Sequence, residues 1–227
     1  MRHIFKLLAA SVAAATICSC SSLTGYPTDA EASYAKAIEI AKKSVDTDKF
    51  KVYSLSFMEG EPLSDNLFLI SVKLVNKDNQ AFSQSYYMTG LEPTALSDVQ
   101  RTFEAPEYET TVGIDLTKLD AAQIAAQIAQ AKTMLPEGHS FKSVGSYQIE
   151  EDVPAGNSVF NRNKTFGKQH TSFVVRFTED GKETESSAGK TSYIYYEAEV
   201  TVEPDGTLFS RFFLNLQDRC PDNRALP

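Results

Sequence analysis

Two helical stripes, each followed by a similar succession of short turn-linked strands, constrain this chain more than any other feature. Over residues 29–45, Tyr34, Ile38, Ala41 and Val45 recur at spacings of four, three and four, which places them on one face of a helix. Thr28 and Glu31 stand at capping-box spacing, so Thr28 is expected to satisfy free N–H groups at the helix start. The second stripe runs through Ile124, Ile128, Ala131 and Leu135. It is expected to start near Asp120 and to stop at Pro136, a residue that cannot continue a helix. Alanines between 121 and 131 favour helix and allow close packing on a sheet.

The two stripes align at a constant offset: Tyr34 with Ile124, Ala35 with Ala125, Ile38 with Ile128, Ala41 with Ala131, Lys42 with Lys132. Related strands follow each. Phe50 to Phe57 matches Phe141 to Tyr147, Val72 to Asp78 matches Val175 to Gly181, and Ser85-Tyr86-Tyr87 matches Ile194-Tyr195-Tyr196. A last strand fits Thr207 to Leu216 after the Pro204-Asp205-Gly206 turn, with Tyr108 to Ile114 as its counterpart. Short strands joined by turns imply antiparallel pairing. The expected fold class is therefore α+β, as two tandem repeats of one helix packed on a short antiparallel sheet of three to four strands. The expected divisions are a signal peptide over 1–19, a tether over 20–28, repeats over 29–116 and 117–218, and a tail over 219–227. Pro93 and Pro106 argue for an irregular connection between the repeats.

The N-terminus has the parts of an export signal. Arg2 and Lys6 supply positive charge, and Ile4, Phe5 and Leu7 to Ile17 an apolar run. That run is roughly 14 residues, short of the ~20 that span a bilayer. Ile17-Cys18-Ser19-Cys20 resembles the lipobox of bacterial lipoproteins, with a branched apolar residue three before the cysteine and a small one just before it. The resemblance implies cleavage after Ser19 and a lipid thioether on Cys20. A membrane partner through that anchor and a cell-envelope address follow, the outer membrane being favoured. More than one acyl chain gives stable anchoring.

Without residues 1–19, 20 basic residues face 30 acidic ones, a formal charge of about −10. That disfavours nucleic acid as a partner, because phosphate binding needs a cationic face. Cys220 is the only thiol left once Cys18 is removed and Cys20 alkylated, so no intrachain disulfide is expected.

The helix Ala37-Ile38-Glu39-Ile40-Ala41-Lys42-Lys43, followed by short strands and a turn, resembles PepSY-like domains. In tandem behind an export signal, the pattern is similar to the β-lactamase-inhibitory-protein fold. The resemblance covers most of residues 29–216 and implies non-enzymatic binding or inhibition of a partner protein.

No catalytic motif competes with that reading. There is no His-Glu-x-x-His, no Cys/His cluster, no Gly-x-Ser-x-Gly and no phosphate-binding glycine loop, so no metal or cofactor is expected. His139 and His170 read as loop or solvated residues. Glu150-Glu151-Asp152, Asp180 and Asp205 read as loop and turn acids. Two groups are candidates for partner contact. Phe160, Arg162, Lys164 and Phe166 fall in a basic, aromatic insertion within an acidic protein. The pairs Tyr86-Tyr87 and Tyr195-Tyr196 must each send one ring to either side of a strand, and Tyr87 and Tyr196 are assigned to the open side. The function expected is a lipid-anchored, non-catalytic binding or inhibitory module for a protein partner. The alternatives are an envelope hydrolase with a carboxylate site, a structural component of a surface assembly, and a module for a small ligand or glycan.

Overall fold

A computed structural model describes residues 25–98, 106–154, 165–187 and 190–213. Two helices lie on one face of a single antiparallel sheet. The elements run α1 (Glu31–Ser44), β1 (Phe50–Glu59), β2 (Leu67–Asn76), β3 (Ala81–Tyr87) and β4 (Ser97–Asp98). A 3-10 turn (Leu116–Lys118) then leads to α2 (Ala121–Lys132), β5 (His139–Glu151), β6 (Gln169–Glu179), β7 (Thr184–Ser187), β8 (Lys190–Tyr193), β9 (Tyr196–Val202) and β10 (Leu208–Phe213). The order across the main sheet is β10-β9-β6-β5-β1-β2-β3-β4, and β7 and β8 form a separate hairpin. The fold is thus α+β and antiparallel, as expected, but the strands form one eight-stranded sheet and not two of three or four. The join is the antiparallel pairing of β1 with β5, from Ser54 opposite Glu150 to Met58 opposite Ser146.

Both helices are built on the anticipated stripes. Tyr34, Ile38 and Ala41 of α1 and Ile124, Ile128 and Ala131 of α2 are all buried. Tyr34 is the pivot: its ring meets Phe57 edge-on at 5.6 Å and Tyr147 at 5.9 Å, while Tyr147 stacks on Phe173 at 5.5 Å. This cluster ties α1 to β1, β5 and β6. The Tyr147 hydroxyl donates to Gln127 Oε1 at 2.6 Å and so brings in α2. Burial drives the Tyr34 and Tyr147 hydroxyls well above the ordinary tyrosine range.

The caps divide. Asp120 caps α2, accepting from the Ala122 and Gln123 N–H groups. That helix stops at Lys132, one turn before Pro136, with Leu135 half-buried against the core. Thr28 does not cap α1; the N-cap position is Ala30, without a side-chain bond. Thr28 is instead fully buried, donating from Oγ1 to Asp65 Oδ1 at 2.5 Å and accepting from the Val144 N–H at 2.8 Å. Two tertiary partners outcompeted the local one.

Strand positions also differ in detail. The fourth strand of the first half is the two-residue β4, whereas Tyr108 to Ile114 is irregular. Residues 106–113 lap over the sheet face opposite the helices. Tyr108 packs with Tyr53, Val75 and Val153, and Lys51 Nζ donates to the Tyr108 and Thr111 carbonyls at 2.8 and 2.7 Å. A β-bulge between Val52 and Ser54 turns Tyr53 to that side. The β7–β8 hairpin was not foreseen. No helix among the described residues is long and apolar enough to cross a membrane.

Candidate binding face

Strand alternation leaves the face opposite the helices with short polar side chains. One row of directly opposed residues crosses seven strands: Ser85, Ser71, Ser56, Gln148, Ser172, Thr201 and Phe209. At ~4.8 Å per strand the row is roughly 29 Å long. The neighbouring row is more apolar: Tyr87, Leu69, Met58, Ser146, Val174, Glu199 and Arg211. Met58 is 37% exposed and Phe209 54%, although each sits within or beside a sheet. The Tyr108 loop bounds this face at one end.

A buried charge cluster bounds it at the other, across four adjacent strands. Arg176 of β6 stands opposite Ser143 of β5 and Glu197 of β9. Its guanidinium donates to Glu59 Oε2 of β1 at 2.6 Å and to Glu197 Oε1 at 2.8 Å. Glu59 has no exposed side-chain surface, and it also accepts from the Ser143 hydroxyl and the Asp65 N–H. Burial disfavours the Arg176 charge, but the bonds to Glu197 and Glu59 outweigh it and hold the group above its ordinary range. Gly145 permits this: a Cβ there would lie 2.9 Å from Arg176 Cζ.

Two clefts adjoin the face. One of about 390 Å³ lies along β9 and β10 between Glu199, Thr201, Glu203, Phe209 and Arg211. The other, about 320 Å³, opens between residues 112–119 and β5–β6, beside Ile149 and Gln169. Among the described residues no three His, Cys, Asp or Glu side chains are grouped to hold a metal ion.

The residues singled out in the sequence are scattered. Ser19, Cys20, Phe160, Arg162, Lys164 and Cys220 lie outside the described residues. Phe166, 44% exposed, sits in a turn after them, next to Gly167, which packs on Val112. Tyr87 is on the open face, its ring 5.4 Å from Phe68, while Tyr86 enters the core as expected. Tyr196 is not on the open face. It stands opposite Phe177, whose alternation with Phe173 and Val175 places both on the helix side, where Tyr196 stacks at 5.6 Å. Its neighbour Tyr195 turns the other way and lies buried beside Arg176, with 5.7 Å from Cζ to the ring centroid. Tyr87 and Tyr196 therefore do not share a surface.

Glu150, Asp180 and Asp205 are exposed as read, but Glu151 is not. Glu151 is a buried β5 residue, accepting from the Val112 and Gly113 N–H groups at 2.7 and 2.6 Å. It holds the connecting loop onto the sheet. His139 opens β5 against the Phe177 and Tyr196 rings, and His170 pairs with Asp152 at 2.9 Å. Sequence reasoning missed the hydroxyl row. Its signal was small polar residues at alternate strand positions, as in Ser54-Leu55-Ser56 and Ser83-Gln84-Ser85.

Comparison with protein-family models, curated proteins and solved structures yields no match.

Proposed function

We propose that this chain is a lipid-anchored cell-envelope protein, joined to a bacterial membrane through Cys20, and that its body is a duplicated α+β unit that binds a partner protein without catalysis. The observation that carries the binding reading is the open face: two registered rows across seven strands, one of hydroxyl and amide groups, one with exposed or half-buried apolar side chains. Flat, mixed surfaces of that kind suit a macromolecular partner more than a small substrate, which needs a concave pocket. The buried Glu59 and Glu151 and the partly buried Arg176 are engaged in holding strands and loops together.

Duplication is supported by the strand order. Outward from the β1–β5 pair, the first half runs β1, β2, β3, β4 and the second β5, β6, β9, β10, each half preceded by its helix. The helices support it further: Tyr34, Ala37, Ile38 and Ala41 are buried in α1, and Ile124, Gln127, Ile128 and Ala131 at the same offset in α2.

The test places a photo-crosslinking amino acid at Ser56, mid-row, and at Glu39 on the outer surface of α1, in cells making the full chain. One dominant protein adduct from position 56 and none from 39 is expected. Equal adducts, or none from 56, would sink the binding-face reading.

A further inference from the structure

The start of the folded body is clamped at one end of the sheet. Gly25 packs on the Asn66 side chain, and the Tyr26 N–H donates to Asn66 Oδ1 at 2.8 Å. The Leu67 N–H returns a bond to the Tyr26 carbonyl at 2.7 Å. Thr28 is pinned between Asp65 and Val144, and its carbonyl accepts from the Tyr34 hydroxyl at 2.8 Å. Residues 25–28 are thus fastened to the β1–β2 turn.

From Cys20 to Gly25 is five residues, at most ~18 Å of chain. On the lipid-anchoring reading above, we infer that the β1–β2 end of the body is its bilayer-facing surface, with the strands rising steeply from the membrane. Topology assigns the rest. The turns at 136–138 and 180–183 and the segment after β3 lie at the same end as the β1–β2 turn, because β5 begins there and β3 and β6 finish there. The β2–β3 turn at 77–80 and the β9–β10 turn at 203–206 lie at the other. The ten residues of β2 separate the two ends by roughly 33 Å.

Exposed apolar side chains stand at both ends: Leu91, 58% exposed, and Tyr193, 40% exposed, at the clamped end, and Val112, 67% exposed, and Phe166, 44% exposed, by the end of β5 at the other. The clamp and the short tether, not apolar surface, set the orientation. None of the large exposed apolar side chains lies on α1 or α2, so tipping onto the helix layer would bury nothing favourable. Exposed Glu61, Glu137 and Asp180 hold this end off anionic lipid, so the bilayer it suits is a neutral one. The orientation leaves the open face directed sideways, along the membrane plane, free for a partner standing on the same membrane.

The test uses the full chain purified from its membrane, with Cys220→Ser and a single new cysteine at Ser64 or Lys77, each carrying a fluorophore. The protein is reconstituted in phosphatidylcholine vesicles containing headgroup-quencher lipid. Intact mass is read first. An acylated protein whose position-64 label is quenched several-fold more than its position-77 label is the expected result. An acylated protein with equal quenching, or stronger quenching at 77, overturns the orientation while leaving the anchor standing. A mass without acyl chains overturns both.

Discussion

Removing the Arg176 cation tests whether the four-strand charge cluster holds the sheet together. In Arg176→Met the side-chain length is kept, but Glu59 loses its 2.6 Å partner and Glu197 its 2.8 Å partner. Glu59 has no solvent-exposed side-chain surface to compensate, whereas Glu197 is partly exposed. Breaking a buried pair by removing one partner costs roughly 3–5 kcal/mol, because the remaining charge is stranded. For a body of this size that is a fall of about 6–20 °C in Tm. A second substitution separates stranded charge from lost packing. Glu59→Gln in the Arg176→Met background keeps the Oε1 acceptor for the Asp65 N–H, lets the amide NH2 in place of Oε2 donate to the Ser143 hydroxyl, and removes the charge. It should be more stable than Arg176→Met alone by at least ~1 kcal/mol. Both are read by urea unfolding followed by far-ultraviolet circular dichroism. An Arg176→Met protein within ~1 kcal/mol of the parent, or no recovery in the double variant, would refute the reasoning.

Gly145→Ala brings a methyl within 2.9 Å of Arg176 Cζ, so it should cost about 1–3 kcal/mol, and the cost should shrink in an Arg176→Met background; a double-mutant cycle checks this. Asp120→Ala removes the α2 cap and should cost ~1 kcal/mol in denaturant unfolding, while Thr28→Ser, which keeps the hydroxyl bonds, should cost less. Tyr34 and Tyr147 resist ionisation in the folded state, chiefly through burial. Their contribution is fully present below the unfolded tyrosine pKa near 10, and is lost as pH rises towards their folded values. Above pH 10 stability should fall by up to ~1.4 kcal/mol per pH unit for each of them. Absorbance at 295 nm should show these phenols ionising together with unfolding; smooth independent ionisation in a still-folded protein would contradict it.

The elements were readable because each rests on local periodicity. Tyr34, Ile38 and Ala41 needed only a 3.6-residue repeat, and Asp120 only the position before an alanine-rich run. What failed depended on partners far along the chain. Thr28 has capping spacing to Glu31, but Asp65 and Val144 arrive in space and take its hydroxyl. Glu151 reads as a surface acid because the two N–H groups that bury it belong to Val112 and Gly113, which lie 39 and 38 residues away. Tyr196 was put on the open face by its match to Tyr87, but in β9 it stands opposite Phe177 and takes the helix side.

The joining of the halves into one sheet was the largest element missed, yet the strands carried a hint of it. An edge strand needs protection from further pairing, by charge, proline, a bulge or brevity. As edges of separate small sheets, β1 and β5 would have bulges and a few charges but neither brevity nor proline to protect them. They are ten and thirteen residues long, have no proline, and alternate apolar residues with small serines over Ser54 to Phe57 and Ser143 to Tyr147. The outer strands of the real sheet look different. β4 is two residues long, and β10 is six residues long and puts Arg211 on its open face. Two long strands without proline satisfy each other by pairing, while the bulges beside Tyr53, Lys142 and Gly145 fall where these strands meet β2 and β6. One of them delivers Tyr53 to the small cluster under the Tyr108 loop, and another leaves the space over Gly145 that the Arg176 guanidinium fills. The features that bound the open face at both ends thus arise where the two central strands meet their outer neighbours β2 and β6, while the β1–β5 pairing itself runs in unbroken register.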